Sequence, residues 1–396
     1  MKHIRVAFAV SALLLLLPAL LSAFGAAEST AGDAGAEASG AAGPNDYFPK
    51  KVEVEHSSVF DVEYHPNYKI VTVSEPWPGA DSGFTYVLVQ RGTEPPSGLE
   101  ADTVIDIPVR TIVTMSTSYL PQLEMLGALD TLIGHDAFAW VSSPAVLERI
   151  EAGAMKEVGS GPTVNVELLL DMEPDLVMTS AMGGEYDAHP KLEEVGLPYV
   201  INAEWNEPTP LARAEWIKFV SLFYNREAEA NELFAAIENE YATMVEMASA
   251  ASEKPTVFMG APYQGTWWVS GGGSFAARLL ADAGAAYVWA DDESTGSLML
   301  DIESVYEKAG QADFWVNTGY WNSLEDAEAA DQRFSEFEAY ETGMVYNNNL
   351  RMGPGGGNEY YESGPANPHW VLADLIKIFH PELLPDHELY YYKKLQ

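Results

Sequence analysis

The chain contains no cysteine, which excludes disulfides, thiolate metal sites and a thioether-linked lipid on this sequence. A protein of 396 residues has the length to rely on apolar cores instead, and two globular units are the expected division. Basic residues are scarce: 21 Lys and Arg stand against 59 Asp and Glu, a net charge of -38. That balance excludes nucleic acid as a partner and argues against anionic membrane surfaces, because both need clustered cations. It reads as a heavily solvated surface, of the kind a saline habitat selects. Long apolar runs are also missing beyond the first residues, so no second membrane helix is expected. Enzyme signatures are absent too. No G-x-S-x-G elbow occurs; "GPGGGN" lacks the Lys-Ser/Thr of a phosphate loop and reads as an irregular loop; "DDESTGSLMLDI" ends in Ile where a calcium loop needs Glu.

What is present begins with an export signal. Lys2, His3 and Arg5 precede an apolar stretch from Ala7 to Leu21, too short to span a membrane, and small residues follow. Residues 1–25 are therefore assigned to a signal peptide. Leu21-Ser22-Ala23 resembles a bacterial lipoprotein signal with Phe24 in place of the lipid-bearing cysteine, which makes lipid anchoring doubtful. The Ala/Gly/Ser/Glu-rich tract that follows, residues 26–48, is a flexible linker. The expected location is the periplasm or cell envelope.

Alternating runs between Val52 and Val89 predict antiparallel strands or hairpins leading into a first lobe, residues 49–224. From Thr111 onward buried strands alternate with helices: "TIVTM", "TLIGHD", "DLVMTS" and "LPYVINA" read as strands, and "SYLPQLEMLGALD" and "VELLLDM" as helices. That grammar predicts parallel βαβ units. A long helix, residues 225–252, is expected to start at an Asn225 cap and to bury Leu233, Ile237, Tyr241 and Met244 along one face. The α/β pattern then resumes over residues 253–396, a second lobe.

The segments "IPVRTIVTMSTSYLPQLEMLGALDTLIGHD", "VGSGPTVNVELLLDMEPDLVMTS" and "GGGSFAARLLADAGA", together with the long helix, resemble a substrate-binding protein of an ABC importer. The family is the one that captures ferric siderophores, haem or cobalamin, and the resemblance covers Ile107 to Phe379. It implies an α/β fold of two Rossmann-like lobes joined by a rigid helix, here with extra N-terminal antiparallel strands. It also implies a non-catalytic monomer that holds a metal chelate between the lobes and hands it to a permease with its ATPase. No resident cofactor is expected.

Ligands of α/β sheets sit at the carboxyl ends of the strands. The first-lobe candidates there are Ser116, Thr117, His135, Trp140, Ser180, Met182 and Trp205. The second-lobe candidates are Tyr263, Trp267, Tyr320, Trp321, Asn347 and Arg351. Aromatic faces suit a bulky planar or macrocyclic guest. Arg351 is the one basic residue among these loops, which tilts the expectation toward a neutral or weakly charged complex such as cobalamin or a hydroxamate siderophore. The resemblance also implies permease docking through a carboxylate on each lobe; Glu124 matches the first by position, and the second lobe offers Arg278 and Asp282 where a Glu is expected. The competing reading is a zinc- or manganese-binding transport protein, or an envelope metallochaperone or enzyme on a similar scaffold. Against it, the histidines are scattered: His380 and His387 lie near the terminus, and His135 is read either as a haem-iron ligand or as a hydrogen-bonded structural histidine.

Overall fold

The computed structural model describes residues 46–98 and 100–396, so the signal peptide, Phe24 and most of the linker lie outside the described residues. The linker boundary is corrected at its end: Phe48 is buried in the first core, and Tyr47 donates its amide to the Pro66 carbonyl.

The N-terminal strands β1 (Phe60–Tyr64), β2 (Tyr68–Val73) and β3 (Phe84–Gln90) pair antiparallel in chain order. Alternate residues of β2 are buried, as a sheet with one face on a core requires. A fourth strand, β4 (Thr103–Ile107), pairs parallel to β3. The sequence hides it because "TVIDI" is short and carries its acidic residue on the exposed face.

The first lobe continues with β5 (Ile112–Thr114), α1 (Leu120–Met125), β6 (Leu132–His135), α2 (Pro144–Glu151), β7 (Lys156–Glu157), α3 (Val166–Met172), β8 (Leu176–Thr179), α4 (His189–Glu194) and β9 (Tyr199–Ile201). These strands form a parallel sheet in the order β7-β6-β5-β8-β9. Chain direction across the sheet therefore reverses between β5 and β8, and a crevice opens at their carboxyl ends. All residues of β8 are buried because it lies between β5 and β9 with both faces covered. Asn165 caps α3 by accepting the Leu168 amide at 3.0 Å, which starts the helix where the apolar run needs it.

Two helices link the lobes, α5 (Pro210–Leu222) and α6 (Glu227–Ser249). Thr209 caps α5, with Pro210 in its first turn. Asn225 does not cap α6. It adopts a left-handed backbone with φ of 54°, and its side chain accepts from Lys69 Nζ at 3.0 Å while donating to Gln90 at 2.8 Å. The turn before the helix and a buried lysine decide its role.

The second lobe holds β10 (Thr256–Met259), β11 (Pro262–Tyr263), β12 (Thr266–Ser270), α7 (Phe275–Asp282), β13 (Ala286–Tyr287), β14 (Ser297–Leu300) and α8 (Ile302–Ala309). It ends with β15 (Phe314–Val316), α9 (Leu324–Ala330), α10 (Glu338–Glu341), β16 (Val345–Asn347), α11 (Glu359–Ser363), α12 (Pro368–Phe379) and β17 (Lys393–Lys394). Its main sheet runs β13-β10-β15-β16-β17, with only β17 antiparallel to its neighbour. Strands β11, β12 and β14 form a separate antiparallel sheet. Among the described residues there are two apolar cores, one for each lobe, and the division falls within α6: Phe234 and Ile237 belong to the first, Tyr241 and Ala248 to the second.

Candidate ligand cleft

A cavity of about 670 Å³ opens between the lobes. Thr117, which follows β5, and Trp140 come from the first lobe; Tyr320, Met352, Asn358 and Tyr361 face them from the second. Its size lies in the range of small-molecule sites. The rings lining it are free of packing partners on much of their surface: Tyr320 is 90% exposed, and Trp140 and Tyr361 are each 59% exposed. Exposed aromatic surface gathered in one cleft marks a place where a guest is buried.

Asn347 holds one wall in place. Its amide donates to the carbonyls of Gly319 and Trp321, each at 2.8 Å, and so fixes the loop that presents Tyr320. The residue itself is fully buried, which corrects its assignment as a ligand contact to that of a positioning residue. Two other candidates are corrected on the same ground. Trp267 is fully buried in the second core, against Phe258 and Trp315. His135 is fully buried, with Nδ1 2.9 Å from Thr114 Oγ1 and Nε2 3.0 Å from the Asp136 carboxylate, so it cannot reach an iron in the cleft.

Thr117, Trp140 and Tyr320 are brought together by the structure; the remaining candidates are not in the cavity wall. Ser116 is half-buried, 2.8 Å from Ser118, whose hydroxyl donates to Glu204 at 2.8 Å. Trp205 is half-buried, and Trp321 packs edge-on against Trp315. Ser180 is half-buried, whereas Met182 and Tyr263 are exposed. Arg351 stacks over the Tyr390 ring at 4.0 Å and donates to the Tyr390 carbonyl.

Charged groups that sequence reasoning missed lie on helices, away from the strand ends it searched. Glu362 on α11 reaches across the lobe boundary, accepting the amides of Ser142 and Ser143 at 2.7 and 2.8 Å and the Ser142 hydroxyl at 2.8 Å. Burial pushes its carboxyl above the ordinary range although these bonds oppose the shift. Beside it, the Gly353–Gly357 loop lies against residues 139–142, so close that a Cβ on Gly353 or Gly357 would overlap the carbonyl oxygens of Val141 and Trp140. The glycines in "GPGGGN" permit that approach. Glu124 is exposed, accepts the Ser143 hydroxyl at 3.1 Å, and borders a groove with Glu359, Glu362 and Trp370. A smaller chamber of about 260 Å³ lies on the second-lobe side and is reached by Arg213 from α5; Tyr361 is a wall of both cavities.

Two α/β lobes, keyed to one long helix and facing each other across an aromatic cleft, define a binding protein for a small molecule. The model of the periplasmic binding protein family matches residues 112–348, more than half of the chain, and the chain belongs to that family. An uncharacterised lipoprotein of Methanocaldococcus jannaschii is 28% identical over 331 residues, covering 80% of this chain and 82% of that protein. Among solved structures, an ABC-type Fe3+-hydroxamate transport system protein from Saccharomonospora viridis superposes with a TM-score of 0.53 at 19% identity, covering 69% of this chain and 94% of the other. A periplasmic vitamin B12 binding protein of Vibrio cholerae gives 0.51 at 15%, covering 71% and 99%. No helix among the described residues is long and apolar enough to cross a membrane.

Proposed function

We propose that this chain is an exported solute-binding protein that captures a bulky metal chelate, an iron siderophore, haem or a corrinoid, and delivers it unaltered to an ABC permease. The observation that carries this reading is the aromatic cavity shared by both lobes. Trp140, Tyr320 and Tyr361 offer broad faces at low entropic cost, and their polar tips can bond a ligand's rim. A bare divalent ion would need convergent histidines and carboxylates. The one such cluster among the described residues, Glu55, His56 and Glu238, contributes nothing to the cleft wall. Glu124, exposed beside the lobe boundary, remains the first-lobe carboxylate offered to the permease.

Native mass spectrometry after incubation with cobalamin, haem and a panel of ferric siderophores tests the proposal. At least one chelate should form a one-to-one complex that quenches tryptophan fluorescence, with the ligand recovered unchanged. A blank panel, or conversion of the ligand to product, would overturn it.

A further inference from the structure

The smaller chamber says what kind of chelate the cleft is made for. It lies at the carboxyl ends of β10 and β15, where Met259, Gly260 and Asn317 line it. Strand order in the second sheet reverses between these two strands, the place where α/β sheets bind ligands.

Arg213 enters this chamber from the first lobe. The residue is half-buried, and its guanidinium lies 4.1 Å from the centre of the Phe275 ring. Its Nε donates to the Glu207 carbonyl at 3.0 Å and its Nη2 to the Trp205 carbonyl at 2.6 Å. Those two carbonyls fix the fork in one orientation, and Nη1 makes no hydrogen bond among the described residues. Burial works against the charge of Arg213, Glu204 and Glu207 favour that charge only from a distance, and among the described residues no carboxylate is bonded to it. An arginine stays protonated in any case, so the chamber holds a partly desolvated cation with no bonded anion among the described residues.

The opposite wall is suited to the same kind of guest. Phe275 and Ala276, the first two residues of the eight-residue helix α7, line the chamber. The first amides of a helix have no partner within it and carry its positive end. Asn317 adds an amide whose buried oxygen has no partner, and an amide can turn its NH2 edge to an acceptor instead. A guanidinium from one lobe and a helix start from the other thus face a common space.

We propose that this chamber receives a carboxylate or similar oxyanion arm of the molecule held in the cleft, so that the cargo is an anionic chelate. The proposal rests on the capture function and revises the expectation of a neutral guest, which considered Arg351 alone. The two cavities share Tyr361, so a ligand seated on that ring reaches both.

Matched probes test it. Haemin and haemin dimethyl ester differ in their carboxylates, and free citrate reports the chamber without the cleft. Wild type should bind haemin roughly tenfold or more tightly than the ester, the scale of one charge-assisted bidentate contact. Arg213→Gln should abolish that preference and citrate binding while leaving ester affinity within about twofold, and Arg213→Lys should keep part of both. Ala276→Asp, which brings a negative charge to the opposite wall without touching Arg213, should mimic Arg213→Gln if the variant arginine disturbs folding. Chelates binding with no dependence on Arg213, and citrate not binding, would overturn the chamber's role and leave capture intact. Citrate binding that requires Arg213 alongside a blank chelate panel would sustain the chamber as a site for a free anion and overturn its role as a subsite for cargo.

Discussion

Glu204 shows how a single side chain can sit at odds with its surroundings. It is buried, accepts the Ser118 hydroxyl through one oxygen and, among the described residues, leaves the other without a partner. Burial pushes its carboxyl above the ordinary range, and Arg213 opposes that shift without cancelling it. The folded chain therefore keeps this proton to higher pH than the unfolded chain does. Between the ordinary carboxylate value and the raised one the folded state binds more protons, so this residue's contribution to stability falls as pH rises. Glu204→Gln keeps the acceptor for Ser118 and removes the charge. Its unfolding free energy from urea titration should match wild type near pH 4 and exceed it at pH 8 by about 1–2 kcal/mol, the scale of an unsatisfied buried polar group. Parallel wild-type and variant curves across that range would refute the account. Single residues were also where sequence reading reached least far. His135 and Trp267 occur in or beside strand ends, but a chain position does not say which way a side chain points, and both turn into the core. Arg213 and Glu362 carried no local signal, because their partners are 6 to 220 positions away in the chain.

At the scale of elements the sequence was far more legible, because apolar runs and caps act over a few neighbouring residues. The four buried residues of β8 and the Asn165 cap of α3 are local signals, and they gave the right elements. Strand β4 escaped notice because its parallel partner β3 lies across a long connection. Helix α6 is the element with the clearest mechanical role. At about 1.5 Å per residue its 23 residues span roughly 34 Å. Its first half buries Ala230, Phe234 and Ile237 in one core and its second half buries Tyr241 and Ala248 in the other. Tyr241 also donates to Asp282 on α7 at 2.8 Å, tying the far end of the strut to the second lobe. Asn239 falls between the two halves and is exposed. Asn239→Pro should cost about 3 kcal/mol through the lost helix bond and the ring's clash with the preceding turn. Because the substitution breaks the strut and neither core, calorimetry should show one transition for wild type and two for the variant. One transition shifted to lower temperature would show that the lobes are coupled by something other than α6.

For the whole molecule the question is what holds the lobes at their present separation, since a rod between them limits opening but does not close the cleft. We propose that contacts across the boundary hold the cleft at this width. Glu362 gathers three donors from Ser142 and Ser143, and the Gly353–Gly357 loop lies flush against residues 139–142. The segment carrying these donors begins next to Trp140, a wall of the cleft, and Glu362 follows Tyr361, another wall. Clasp and cleft wall are therefore adjacent, and under the proposed function a ligand that draws Trp140 and Tyr361 together also brings the clasp into register. Glu362→Ala removes every one of these acceptor contacts, each worth about 1.5–3 kcal/mol for a charged acceptor before water replaces it. Dissociation of a bound chelate should accelerate by roughly tenfold or more, with association little changed, because most interface losses fall on the off-rate. Small-angle scattering should show a larger radius of gyration for the unliganded variant than for wild type. Gly357→Ala attacks the same contact from the loop side, leaving Glu362 in place, and should move both measurements in the same direction. If either variant releases ligand at the wild-type rate while remaining folded, the lobes are held by the cargo alone.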